Sequence, residues 1–379
     1  VKGSRPWPLT EIALPFVKLG IIGFGGPAAH VALMRREFVV TRQWLDEDRF
    51  LELFGASNLI PGPSSTELGM MLGYLRGGWP GLFVAGACFI GPAMAIVLAL
   101  AWLYVRAGSL PQTAWVLYGV KPVIIAIVAD ALWALGRRAG KTWFMLAVGV
   151  AVLVLYLFGA NILILLFGGA LLVMVIRNGM RGWPRAAGLA PLLSLGALPA
   201  AVGGPTLGAI FLEFLKIGAV VFGSGYVLLA FLRADLVHHL HWLSQSQLVD
   251  AVAVGQVTPG PVFTTATFIG YLSDGFAGAV AATVAIFLPA FVLSGVVFGM
   301  LPKLRRSPWA DAFLQGVTIC GLGLMAGVTI QLARVVLIDW FTVVLAAASL
   351  LVLRRYQPNS VWLVLAGAAI GLAARALGS

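Results

Sequence analysis

FVKLGIIGFGGP at residues 16–27 returns as FLKIGAVVFGSG at residues 214–225. Pro61-Gly62-Pro63 returns as Pro259-Gly260-Pro261, and both pairs of segments are 198 residues apart. Helix-breaking residues held at one common offset mark a module written twice. Lys18 falls on Lys216, Arg35 on Arg233, Trp44 on Trp242 and Asn58 on Gln256. After one deleted residue, Gly73-Tyr74-Leu75 falls on Gly270-Tyr271-Leu272 and Pro92 on Pro289. This register divides the chain into a first repeat over 10–177, a linker over 178–206 and a second repeat over 207–376.

The medium follows from composition. Of 379 residues, 60% are hydrophobic and 10% charged, and the mean hydropathy is +0.99. A soluble domain of this size needs far more polar surface, so the chain is expected to be a polytopic protein of the lipid bilayer. The net charge of +11 sits in short loops between apolar runs. That is the pattern of positive-inside topology and not of nucleic-acid binding. The N-terminus shows no signal-peptide pattern with a cleavage site. Cys88 and Cys320 lie in apolar runs and do not align between the repeats. No Walker A sequence, dinucleotide fingerprint or nucleophile constellation appears, which argues against an enzyme and against a cofactor. His238, His239 and His241 cluster without further ligands, so no metal site is expected.

Each repeat reads as a first helix interrupted at FGGP or FGSG, a polar segment, two short helices hinged at Pro-Gly-Pro, and four apolar spans. The spans fall near 80–105, 112–137, 142–158 and 161–177, then near 276–300, 312–334, 339–353 and 359–375. The hinged arms, 48–60 and 64–76, are each too short to cross alone. Loop charge favours a re-entrant hairpin. That choice puts Arg354 and Arg355 on the side of Arg137, Arg138, Lys141, Arg177, Arg181 and Arg185, the cytoplasmic side. Each half then crosses five times, an odd number, so the fold class expected is all-α with two inverted-topology repeats. The linker is cytoplasmic in this scheme.

Breaks at matching positions of two halves point to a transporter's binding site. Irregular backbone is tolerated at membrane depth only inside protein or beside a wet cavity. Helices restarting after such breaks present N–H groups and a positive dipole end that suit an oxyanion. The candidate substrate-binding residues are therefore Gly25, Gly26, Pro27, Asn58, Pro61, Gly62, Pro63, Ser64 and Ser65 in the first repeat. In the second they are Gly223, Ser224, Gly225, Gln256, Pro259, Gly260, Pro261 and Thr264. Lys18 and Lys216 join them, because a lysine within an apolar helix is costly and so reads as functional; the bland alternative is pairing with Glu11 or Glu213. Arg35 with Glu37, and Arg233 with Asp235, read as local charge pairs. Glu67 and Asp130 are the candidates for a coupling proton, since burial disfavours the charged form of a carboxyl.

With GYLRGGWPG following the first Pro-Gly-Pro, the doubled FGGP and Pro-Gly-Pro pattern resembles the chromate ion transporter family, in its long two-domain form. The first repeat carries the fuller signature. The second departs from it at Gly225, where Pro27 stood, and at Asp274, where Gly77 stood. The resemblance implies export of chromate from the bacterial cytoplasm across the inner membrane, with sulfate as a competitor and a link to the proton-motive force. A sulfate importer or anion channel is the alternative, and a membrane oxidoreductase a remote one. Preferred oxyanion, coupling ion and oligomeric state, a homodimer included, are left open.

Overall fold

The computed structural model describes residues 9–58, 60–107, 111–139, 142–178, 204–222, 227–304 and 308–378. Gly223, Ser224 and Gly225 lie outside the described residues, as does most of the linker. Helix is the only regular structure among the described residues, apart from one isolated antiparallel bridge between Pro61 and Phe222.

The two halves build the same series. In the first, α1 (Leu9–Ile22) breaks, α2 (Gly26–Arg35) restarts and runs on as a π-helical turn over Arg36–Thr41, and α3 (Glu47–Ser57) follows. Then come α4 (Ser64–Ala107), α5 (Pro111–Ala139), α6 (Trp143–Leu157) and α7 (Gly169–Asn178). The second half has α8 (Leu207–Val220), α9 (Leu228–Leu232) with a π-helical turn over Arg233–His239, and α10 (Gln245–Val257). It closes with α11 (Thr265–Leu304), α12 (Pro308–Val336), α13 (Trp340–Tyr356) and α14 (Ser360–Gly378).

Equivalent helices start at equivalent places because a side-chain cap stands at each. Asp46 accepts the Arg49 N–H ahead of α3, and Ser244, 198 residues on, forms a full capping box with Gln247 ahead of α10. Thr142 caps α6, while Asp339 and Thr342 form the box that starts α13. A side-chain oxygen there takes an N–H that the helix itself cannot satisfy, worth about 1 kcal/mol.

A straight α4 of 44 residues would run about 66 Å at 1.5 Å per residue, twice the ~30 Å hydrocarbon thickness. It reverses instead. Gly77 (φ −133°) and Gly78 (φ 58°, ψ −147°) leave helical geometry, and the positive φ at Gly78 is one that only glycine adopts without strain. Gly73 and Gly81 then meet backbone to backbone; a Cβ on Gly73 would sit 2.5 Å from the Ala85 methyl. Asp274 and Gly275 (φ 55°) turn α11 the same way, with Gly270 against Gly278 and Ala282. The sequence places a hinged arm and the next span where the structure has them, and two residues suffice to join them.

α4 and α11 pack together across the halves, and at the outer edge of that contact the exposed Phe83 stacks on Phe291 at 5.4 Å. The outer spans exchange partners: α6 and α7 pack on α12 of the other half, and α13 and α14 pack on α5. Small residues allow this, as at Gly119, whose backbone lies against Gly367 and Gly371, the close approach used by helices in lipid. Among the described residues, four helical stretches are long and apolar enough to cross a membrane: Ser64–Ala107, Ala114–Arg137, Val262–Gly299 and Pro308–Val336. Trp143 and Trp340 open α6 and α13 as strongly exposed aromatics, suited to a membrane–water interface.

Candidate functional site

The breaks of one half are bonded to the hinge of the other. Gly62 N–H donates to Val221 O at 2.6 Å, beside the Pro61–Phe222 bridge, and Gly260 N–H donates to Gly23 O at 2.8 Å. Gly62 and Gly260 are 198 residues apart, and so are Gly23 and Val221. The two contacts are thus the same contact made reciprocally. Glycine is required at both donors: φ is +135° at Gly62 and +87° at Gly260. Pro61, Gly62, Pro63, Pro259, Gly260 and Pro261 are all buried. The hinges therefore dock against the opposite breaks, and their glycine N–H groups are taken by carbonyls.

Gly25 (φ 101°) is the N-cap of α2, and Gly26 (φ 75°) and Pro27 begin it. Proline fits there because its missing N–H would be unpaired anyway. Beyond the first hinge, the opening turn of α4 buries Ser64, Ser65, Thr66 and Glu67. Ser65 Oγ lies 3.1 Å from His30 Nδ1, and His30 Nε2 donates to Gly23 O at 2.8 Å. Gly23 O so receives both the His30 ring and the second hinge. Thr66 Oγ1 and both carboxyl oxygens of Glu67 are buried without a hydrogen-bond partner among the described residues, a costly state for polar groups. The Glu67 carboxyl occupies the space a side chain on Gly62 would need.

The second hinge is quieter. Thr264 Oγ1 donates to Pro261 O and Thr265 Oγ1 to Val262 O, each at 2.8 Å. Gln256 is buried with Nε2 unpartnered, whereas its repeat mate Asn58 caps α3 and returns its amide to Phe54 O.

The lysines hold equivalent acids. Lys18 pairs with Glu37 at 3.0 Å, and Lys216 with Asp235 at 3.1 Å and Glu213 at 2.5 Å. The expected pairs Arg35–Glu37 and Arg233–Asp235 are not formed. Residues two apart on a helix point to different faces, so each acid turns to the lysine of the preceding helix. Arg35 binds Glu47 at 2.6 Å instead, and Arg233 binds Tyr156 and Gln331. The halves differ in exposure: the Lys18 side chain is 57% exposed and that of Lys216 11%. A cavity of about 520 Å³ opens between the halves, lined by Lys216, Arg233, Asp235 and His238 of the second and Tyr156 and Asn161 of the first among others, and it reaches Val220 beside the second break. Asp130 stands apart from this region, half-exposed and 3.8 Å from Arg354.

Sequence reasoning passed over two features. His30 has Leu228 at its repeat position, and its signal was a lone histidine one turn after a break in an apolar run. The other is a cluster across the halves: Asp250 on α10 takes Lys121 of α5 at 3.1 Å and Tyr104 of α4 at 2.9 Å, while Lys121 also donates to Ser246. Among the described residues no group of three or more His, Cys, Asp or Glu is placed to hold a metal ion.

The family model described as chromate transporter matches residues 10–174 and again 208–372. The chromate transport protein of Cupriavidus metallidurans is 35% identical over 99% of this chain and 95% of its own length. The probable chromate transport protein of Synechococcus elongatus is 34% identical over 91% of this chain and 90% of its own. The chromate transport protein of Pseudomonas aeruginosa is 30% identical over 87% and 82%. No solved structure matches. With both halves matched and similarity running nearly end to end, this chain belongs to the chromate transporter family.

Proposed function

We propose that this chain is a secondary transporter that exports chromate from the cytoplasm across a bacterial inner membrane by alternating access. The observation that carries the mechanism is the reciprocal pair of bonds, Gly62 N–H to Val221 O and Gly260 N–H to Gly23 O. Two halves joined by equivalent contacts at one buried place can rock about that place while exchanging which side is open. The substrate class rests on membership of the family and on the names of the relatives. Candidate groups that meet the anion are the broken segments, the turn at Ser64 and Ser65, and Lys18 and Lys216.

The inverted topology is part of the proposal. It is supported by Arg354 seated 4.6 Å over the Trp133 ring, and by the Arg177 side chain bonded to Gln315 near the start of α12. Both contacts gather basic helix ends on common sides, as the positive-inside rule asks for one cytoplasmic face. Export needs no bound nucleotide, because a leaving dianion gains about 4.6 kcal/mol per 100 mV, inside negative.

The test is chromate uptake into inverted vesicles carrying the protein, with an imposed potential and then an added pH gradient. Uptake that tracks the potential is expected, with sulfate competing. Absence of uptake under both conditions overturns the proposal. Trans-stimulation by internal chromate separates a carrier from a channel, which passes current without it.

A further inference from the structure

The carbonyl of Gly23 can only accept a hydrogen bond, so the hydrogen of neutral His30 must sit on Nε2. Nδ1 is then a bare acceptor, and Ser65 must spend its only hydrogen on it. From this geometry we infer that His30 and Ser65 form a proton-linked switch for anion binding, a role that rests on the chromate proposal above. When Nδ1 takes up a proton it becomes a donor to Ser65 Oγ. The Ser65 hydrogen is released and donates to the anion instead. When the anion and the proton leave, the serine hydroxyl returns to Nδ1, so hydrogens balance with no other reactant.

The setting fits such a ligand. Ser65 opens α4 next to the Pro61-Gly62-Pro63 hinge, and Thr66 Oγ1 and the Glu67 carboxyl beside it are buried with no hydrogen-bond partner among the described residues. Most charged groups on the elements packed against α2 are engaged elsewhere. Lys18 and Arg42 hold Glu37, Arg35 holds Glu47, Arg49 holds Glu52, and Arg76 lies over Trp44 within the field of Glu11. Glu67, two residues past Ser65, is the titratable group that shares its buried turn. An ionised Glu67 would repel a dianion, which makes it the competing site for the same proton. The second half has Leu228 and Thr265 at the positions of His30 and Glu67, so the switch belongs to one half.

The experiment uses the full chain in proteoliposomes. It measures chromate counterflow and apparent chromate affinity from pH 6 to 8, with proton uptake on chromate addition followed in weak buffer. Variants are His30→Gln, Ser65→Ala and Glu67→Gln. Glutamine at 30 retains an amide donor and acceptor and does not titrate, and comparison with wild type cancels the protonation of chromate itself. As the pH falls, wild type should tighten about tenfold per pH unit more than His30→Gln, the slope of one proton taken up with the anion. His30→Gln should show chromate counterflow whose apparent affinity lacks the extra pH slope. Ser65→Ala should bind weakly and lose the extra slope although His30 is intact. Equal slopes and equal proton uptake in wild type and His30→Gln overturn the switch, and so does loss of linkage in Glu67→Gln alone. Absence of chromate counterflow in wild type at every pH overturns the chromate proposal and the switch with it.

Discussion

Replacing Gly260 by alanine tests whether the second hinge is seated where the reciprocal bond requires. At φ +87° an alanine is strained by about 1–2 kcal/mol. Its Cβ would also lie 2.6 Å from the Cβ of Ala93 on α4, well inside the ~3.5–4.0 Å of ordinary carbon contact. Both atoms are anchored to backbone, so relief must come from moving α4 or the hinge, an overpacking cost of about 1–3 kcal/mol. The expected loss is therefore about 2–5 kcal/mol, read as a lower thermal transition of the detergent-solubilised protein together with slower chromate counterflow. Gly55→Ala is the control: nothing lies within 4 Å of its would-be Cβ, and in a helix alanine is favoured by ~0.5–1 kcal/mol. Adding Ala93→Gly to Gly260→Ala should recover the clash but not the strain, giving a coupling of about 1–3 kcal/mol. A Gly260→Ala protein as stable and active as the Gly55→Ala control would refute the docked hinge.

Lys121 and Asp250 give a second cross-half test. Lys121→Met strands the buried Asp250 carboxylate and should cost about 3–5 kcal/mol, Asp250→Asn leaves the partly exposed Lys121 its bond to Ser246 and should cost less, and the double variant should lose less than the sum; additive thermal shifts would mean the two side chains do not meet. The lysines should separate by environment. Lys216→Met leaves Glu213 and Asp235 facing each other unpaired and should destabilise by about 3–5 kcal/mol, whereas Lys18→Met leaves Glu37 its bond from Arg42 and should cost under ~1 kcal/mol. Equal thermal shifts would contradict the assignment.

The breaks, the hinges and the helices between them were legible because each is local. Glycine, proline and a 198-residue offset need no partner to be read. The meeting of the first hinge with the second break was not legible. It pairs segments from different halves through backbone atoms, which carry no residue signature. Nor was the exchange by which α6 and α7 pack on α12. Helices apolar all round announce that they are buried in lipid or protein but not which face meets which neighbour. His30 was passed over because a single histidine in an apolar run ordinarily reads as core. Only its two bonds, to a break and to the turn after a hinge, separate it from that reading.

The hinge contacts are shared by the halves, while two titratable groups beside the first hinge are not. The residues that shape backbone, Gly62 with Gly260 and Gly23 with the Val221 carbonyl, act as a symmetric pair. The lysines and the acids they hold are paired too, but the titratable groups beside the first hinge are not: His30 faces Leu228 in the repeat register, and Glu67 faces Thr265. A symmetric pivot lets either side open, whereas a one-sided proton site decides what travels with the anion. If His30 loads a proton with each chromate, the moving species carries one net negative charge, and 100 mV is worth about 2.3 kcal/mol in place of about 4.6. Chromate gradients at steady state should then rise tenfold for each ~59 mV of clamped potential, against ~30 mV for a bare dianion. An opposing pH gradient of one unit should cancel about a decade of the accumulation, and His30→Gln should return the slope toward that of the dianion. A wild-type slope near 30 mV per decade, unmoved by pH, would mean that the proton stays behind and that membrane potential alone drives the anion.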